Sequence, residues 1–473
     1  MKRNYRRPLF LIGSLVTLTC AAMAYSSKDH VPAPTPGPQT RAKAGVVSLS
    51  GYLTQHKVVA GGDGSVSLAL TLTADDAPSA MKGDARHVDM VIVLDRSGSM
   101  QGAKIRDAKQ AAANLLASLS GADRFALVSY SDTVQRHTAL MNVTPANREM
   151  LEAIVQNIVA GGSTNLGGGL QEGINLLVSE ARTGHLGKII LISDGLANRG
   201  ITHPTALGDM ASMAVGKEFS ISTVGVGTDF NEHLMTAIAD RGNGSYYYLE
   251  TPGSIAEVFR KELHHVKAAA ATSVEVRIPL KEGISLAHAA GYPIEMKDGH
   301  AIFRPGDLLS GQSRRFFATL RVPTHQDGVV HIGGISVSYI HQGDPFTVTL
   351  PDSFQVACVK DARDALASID KKAWGEKVLQ EDYNKLKEEV ARQIQAGNEK
   401  EALSRIESYR SANQAVNAAV GSAAVAGNLE GDLDELGKTV KDSFAGAPAQ
   451  AAEKQKKHAK DLQYRAYEGR RGK

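Results

Sequence analysis

Hydrophobic and polar residues follow different rhythms in different parts of this chain, and the changes of rhythm mark its domains. Residues 46–53 (VVSLSGYL) and 65–72 (SVSLALTL) alternate with period two around Gly61-Gly62-Asp63-Gly64. That alternation predicts antiparallel strands with one buried face. From His87 onward the pattern changes. Residues 91–94, 125–128, 189–192 and 221–226 are short, nearly continuous apolar runs, as in strands buried on both faces. Helical patterns lie between them, over 103–118, 147–158, 166–182, 205–215, 231–240 and 255–266. Strand alternating with helix over residues 87–267 predicts an α/β domain with a doubly wound, mainly parallel sheet, whose ligands sit at the carboxyl ends of the strands.

Period-two alternation returns in 272–278, 301–303, 314–322, 329–340 and 346–359, which makes 272–359 an all-β segment. The strands of 46–80 cannot stand alone. The sequence therefore predicts one β-sandwich built from both segments with the α/β domain inserted into it; the alternatives are that the first strands extend the edge of the later sheet or dock on the flank of the α/β domain. From residue 361 the chain turns helical. Leu379, Tyr383, Leu386, Val390 and Ile394 form an apolar stripe, Leu403, Ile406 and Tyr409 open a second helix, and a weaker helical pattern covers 429–444. Residues 361–444 are thus a C-terminal α-helical region. Residues 453–473 hold eight Lys or Arg and three Asp or Glu without a periodic apolar face, so 445–473 is expected to be a basic flexible tail.

Composition adds little to this picture except at the amino terminus. Lys2, Arg3, Arg6 and Arg7 precede an apolar run over 9–18, and Ala22-Met23-Ala24 supplies small residues for cleavage. Residues 1–24 therefore read as a signal peptide for export to the periplasm, cell surface or extracellular space. If uncleaved, the same segment would anchor the chain and give it membrane contact. Pro32, Pro34, Pro36 and Pro38 mark 25–45 as a Pro-rich linker, with folded structure expected from about Val46. Cleavage would remove Cys20 and leave Cys358 as the single cysteine, expected to be a small buried hydrophobe. A net charge of +3 on 53 basic and 50 acidic residues gives no reason to expect nucleic acid.

Three segments carry the candidate chemistry. The apolar run 91–94 ends in Asp95-Arg96-Ser97-Gly98-Ser99-Met100, a tight strand-to-helix loop with one carboxylate and two hydroxyls. Gly161-Gly162-Ser163-Thr164-Asn165 precedes another helix and offers the Thr164 hydroxyl. The buried run 189–192 ends in Ser193-Asp194-Gly195, which brings a second carboxylate to the same sheet edge. An oxygen-only set suits a hard cation: Mg²⁺ foremost, with Mn²⁺ or Ca²⁺ as the other candidates. Each residue alone has an ordinary role as turn former or helix cap. Their joint placement at three loops on one sheet edge does not.

The pattern Asp-x-Ser-x-Ser, then a Gly-rich loop with Thr, then Ser-Asp-Gly resembles the metal-ion-dependent adhesion site of von Willebrand factor A domains, over about residues 87–267. The chain is most similar to bacterial secreted members and to the A domains of inter-alpha-trypsin inhibitor heavy chains and calcium-activated chloride channel regulators. The resemblance implies that Ser97 and Ser99 bind the metal directly, that Thr164 does so in the open state, and that Asp95 and Asp194 act directly or through water. It further implies an adhesion-type module whose bound ion accepts an Asp or Glu carboxylate from a protein partner. Two other functions fit the residues less well. A metal-dependent hydrolase would need Ser97 or Ser99 as nucleophile, yet there is no Gly-x-Ser-x-Gly elbow and no His in the motif segments. An accessory subunit of a membrane or ATPase-linked assembly fits poorly with an export signal. The sequence thus points to a binding protein and not an enzyme.

Overall fold

The computed structural model describes residues 39–76 and 86–472, except 183, 216, 217, 282 and 326. The expected signal peptide and most of the expected linker lie outside the described residues.

The α/β domain is built on a sheet whose strands run in the order Asn243–Leu249, Phe219–Val226, Leu186–Ser193, Val88–Asp95, Arg124–Tyr130 and Val134–Arg136. The first five are parallel; the last is an antiparallel edge. All eight residues of Val88–Asp95 are buried, because alternate side chains enter two different cores. Val88, Met90, Ile92 and Leu94 pack with the helices Ala103–Ser118, Pro145–Gln156 and Ile255–Lys267. Val91 and Val93 face the opposite way, toward Leu166–Glu180, Pro204–Val215 and Glu232–Arg241. Continuous apolar runs are therefore required by two-sided burial, each Val, Leu or Ile contributing about 1.5–3 kcal/mol. The chain leaves Val88–Asp95 toward Arg124–Tyr130 on one side and later returns to Leu186–Ser193 on the other. That reversal puts the switch point of the sheet at the carboxyl ends, between Asp95 and Asp194, where sheets of this kind bind ligands.

The β-sandwich encloses this domain in sequence. Ser65–Ala74 lies before it and Ser313–Arg321 after it, yet the two pair antiparallel from Ser65↔Arg321 to Thr73↔Ser313. Apolar side chains from both parts, including Leu68, Leu70, Val276, Phe316 and Val337, share one core. The insertion read from the unpartnered strands is thus what the structure contains. Cys358 is a free, buried thiol in the same core, its Sγ facing the Thr324 carbonyl.

Two expectations are corrected. Residues 40–44, assigned to the linker 25–45, form the strand Thr40–Ala44, which pairs with Val47–Leu53 through a turn at Gly45. Only Arg41 and Lys43 point outward; Thr40 is buried and donates to Asp352 at 3.0 Å, and Ala42 and Ala44 pack on the sandwich core, contacts with distant residues that composition does not reveal. Tyr339 reinforces it by donating its hydroxyl to the Ala44 carbonyl at 2.5 Å.

Residues 445–473, expected to be a flexible tail, contain instead the 24-residue helix Pro448–Arg471. Its inner face carries Ala459, Leu462, Ala466 and Tyr467. The buried cations are neutralised: Lys460 by Glu232, Arg470 by Glu381 and Glu388, and Arg471 by Asp240. These acidic partners are distant in sequence, so the charges of residues 453–473 are unbalanced only locally. The helix packs on Tyr383–Gln395 and touches the edge strand Asn243–Leu249, joining the helical region to the α/β domain.

Candidate metal centre

Asp95 ends the central strand, and Asp194 follows the neighbouring strand Leu186–Ser193; Leu94 and Ile192 are paired in register just beneath them. Both carboxylates are fully buried. Asp95 Oδ1 accepts the Ser97 amide at 2.8 Å, folding the loop back on itself, and Oδ2 accepts the Ser193 hydroxyl at 2.9 Å. Ser97 Oγ and Ser99 Oγ lie 3.0 Å apart, and Ser99 Oγ donates to Asp194 Oδ1 at 2.6 Å. A short turn over Gly98–Met100 holds this loop before the helix Ala103–Ser118 begins.

The third loop is tied to the first by its backbone. Gly98 N donates to the Gly162 carbonyl at 2.9 Å, and Gly161 N to that of Arg96 at 2.7 Å. Gly162 has φ +85°, and a Cβ there would lie 2.2 Å from Asp132 Oδ2. Only glycine fits. Asp132 in turn accepts the Ser163 hydroxyl at 2.7 Å and pairs with Arg199. Thr164 is buried, with its amide held by Asn198 Oδ1 at 2.9 Å. Gly195 joins the set: a Cβ there would sit 3.3 Å from Ser99 Oγ and 3.8 Å from Thr164 Oγ1. All five residues read from the sequence therefore meet at one sheet edge.

Electrostatically the site is short of positive charge. Burial pushes the Asp95 carboxyl up to about 6, against hydrogen bonds from Ser97 and Ser193, and Asp194 raises it further. Lys104 Nζ lies 2.5 Å from Asp194 Oδ2, one cation beside two buried carboxylates. A dication would more than offset this deficit, leaving positive charge for an anionic ligand, and the five oxygen-bearing side chains fit a hard one. Among the described residues no three His, Cys, Asp or Glu side chains gather at one point. The oxygen donors here are largely hydroxyls.

Sequence reasoning missed Lys104, Asn198 and the supporting role of Ser193. Ser193 stood inside the Ser-Asp-Gly motif and could have been noticed. The Lys104 and Asn198 contacts arise only when separate loops fold together.

Comparison with known proteins agrees with this geometry. Residues 89–261 match the family model of the von Willebrand factor type A domain. The chain is 30% identical over 192 residues to YfbK of Escherichia coli, covering 40% of this chain and 33% of that protein. It is 28% identical over 248 residues to inter-alpha-trypsin inhibitor heavy chain H3 of Mus musculus, covering 49% and 27%. The chain thus spans a third or less of the length of these two relatives. Among solved structures, a von Willebrand factor type A protein from Catenulispora acidiphila superposes with a TM-score of 0.65 at 18% identity, over 93% of this chain and 98% of that one. The ArnB paralog VWA2 from Sulfolobus acidocaldarius gives 0.54 at 17% identity, over 88% and 98%. At such identities the likeness concerns fold alone, but it extends well beyond the α/β domain. Residues 89–261 of this chain are a von Willebrand factor type A domain, inserted in a β-sandwich and followed by a helical region.

Proposed function

We propose that this protein is an exported, metal-dependent binding module whose cation, held by Asp95, Ser97, Ser99, Thr164 and Asp194, bridges to an Asp or Glu carboxylate of a protein partner. The observation that carries the reading is the meeting of two fully buried carboxylates and three hydroxyl side chains at the carboxyl edge of the sheet. Mg²⁺ suits these donors best, with Mn²⁺ or Ca²⁺ as substitutes. The bound ion would supply a Lewis-acidic position for an anionic ligand. Uncharged Ser and Thr donors would leave it electron-poor enough to accept one.

The chain's own residues do the rest. Ser193 and the Ser97 amide orient Asp95, Ser99 orients Asp194, and Asn198 fixes the Thr164 loop. Leu196 and Ile201, exposed on the loop after Asp194, offer apolar contact to a partner. Binding is favoured over catalysis. Ser97 Oγ and Ser99 Oγ are bonded to each other, and Ser99 Oγ to Asp194, with no histidine base beside them in these contacts. A Ser–His hydrogen bond does occur between Ser129 and His137 at 2.7 Å, but Ser129 is fully buried on a strand. Export is supported by the pattern of residues 1–24. Among the described residues no helix is long and apolar enough to cross a membrane.

Titration calorimetry of the purified protein with Mg²⁺ and Mn²⁺ tests this reading. Wild type should bind one ion, and at a hundredfold excess over Kd the ion should stabilise the fold by about 2.7 kcal/mol, reversibly with EDTA. Asp95→Ala should bind none. Absence of binding to wild type, or equal binding by Asp95→Ala, would overturn it.

A further inference from the structure

We infer that Lys104 sets the charge of the proposed metal centre, weakening its hold on the cation while keeping the bound ion receptive to a partner's carboxylate. This rests on the metal-binding reading above. Lys104 stands in the first turn of the helix Ala103–Ser118, a turn that contains no acidic residue. A cation there opposes the helix dipole, so its position calls for compensation from outside the helix. Asp194 supplies it, through the 2.5 Å contact between Lys104 Nζ and Asp194 Oδ2.

The lysine is half-buried, with 29% of its side chain exposed. A Cβ built on Gly227, at the end of the next strand, would lie 3.7 Å from both Cε and Nζ of Lys104. Asp229, the nearby acid after that turn, already accepts Lys456 at 2.8 Å. Lys104 acts on Asp229 only through charge at longer range, while its hydrogen bond goes to Asp194.

The consequence follows from charge. Asp95 and Asp194 together would offer a dication two negative charges, but Lys104 already answers one of them. The ion would therefore be held less tightly and would retain positive charge toward the open side. Orientation of Asp194 does not depend on the lysine, because Ser99 Oγ holds its other oxygen at 2.6 Å and the side chain is fully buried. Replacing Lys104 with an apolar residue of similar length should remove charge without freeing the carboxylate.

The test is calorimetric titration of the full chain with Mn²⁺ alone, using wild type, Lys104→Met, Lys104→Arg and Lys109→Met. Lys109 lies on the same helix and bonds the Gln156 carbonyl at 2.8 Å; its loss lowers the net charge by the same unit without touching the site. Lys104→Met should bind Mn²⁺ about tenfold more tightly. Lys104→Arg and Lys109→Met should bind like wild type. Equal or weaker binding by Lys104→Met, while wild type binds, would overturn the role of Lys104 and leave the metal reading intact. Lys104→Arg behaving like Lys104→Met would overturn it too, since charge would not be the cause. No Mn²⁺ binding by wild type would remove the metal reading itself.

Discussion

The carboxyl edge of the parallel sheet and the flank where the last helix docks treat charge in opposite ways. At the edge, one lysine pairs with one of two buried carboxylates, Asp194, and the hydroxyls of Ser97, Ser99 and Thr164 complete the set of oxygen donors. At the flank, Lys460 Nζ lies 2.6 Å from Glu232 and 2.8 Å from the Phe230 carbonyl, while Arg471 reaches Asp240 at 2.5 Å and covers the ring of Tyr467. Tyr467 Oη accepts the Tyr246 amide at 2.9 Å, and Tyr464 and Tyr467 meet the Tyr246 ring edge-on. One region leaves negative charge for a ligand to answer; the other answers it within the chain. A site for binding and a seam for holding elements together thus differ in charge balance more than in residue type.

The sharpest way to break that contrast is Arg471→Ala. The guanidinium is almost fully buried, so its removal breaks the buried ion pair with Asp240 and opens space beside Tyr467. Breaking a buried pair in this way costs about 3–5 kcal/mol. Urea unfolding should show that loss, while Mn²⁺ affinity of the folded protein stays at the wild-type value. A loss below about 1 kcal/mol would mean the last helix is not an integral part of the fold.

How much of this was legible in the sequence follows from how local each signal is. Asp95, Ser97, Ser99, Thr164 and Asp194 sit in three short segments, two of them ending buried strands, and those strands announce themselves by continuous apolar runs. The insertion of one domain in another was legible because residues 46–72 needed partners. Thr40–Ala44 was not, since an edge strand whose inward residues are one threonine and two alanines shows no large apolar side chain and looks like linker. The last helix was hidden for a different reason. Its acids, Glu232 and Asp240, lie more than two hundred residues upstream, so the charges looked unbalanced where they were counted.

A pH series probes a third buried charge, on the face of the sheet away from the metal edge. Glu262 accepts the hydroxyls of Tyr247 at 2.5 Å and Ser222 at 2.8 Å and pairs with Lys188 at 2.5 Å. Burial alone would raise its carboxyl, but Lys188 and these hydrogen bonds outweigh burial and hold it at about 2, below the ordinary 4.5. A lowered value means the stabilisation is present above pH 4.5 and is lost as pH falls from 4.5 toward 2. Glu262→Gln should therefore be less stable than wild type at neutral pH, and the gap should close over that acid range. Urea midpoints at a series of pH values check it; a constant gap would contradict it.

Gly195→Ala is a smaller perturbation, directed at the metal edge. The new methyl would crowd Ser99 Oγ at 3.3 Å while meeting Thr164 Oγ1 at an ordinary 3.8 Å. The hydroxyl must shift by a few tenths of an ångström, so Mn²⁺ affinity should fall several-fold with little change in urea midpoint. Unchanged affinity would place the cation away from Ser99.

The smallest effect is expected within the last helix itself. Lys456 and Lys460 stand one turn apart and both pair with acids of the α/β domain, Asp229 and Glu232. Lys456 and Asp229 are both more than half exposed, whereas Lys460 and Glu232 are almost completely covered. Water already solvates the first pair, so Lys456→Ala should cost less than about 1 kcal/mol, and less again at high salt. Lys460→Ala should cost several-fold more, because Glu232 would remain buried without its counter-charge. If urea unfolding gave equal losses for the two variants, burial would not be what separates them, and the contrast between a saturated seam and an open metal edge would have to rest on geometry instead of charge.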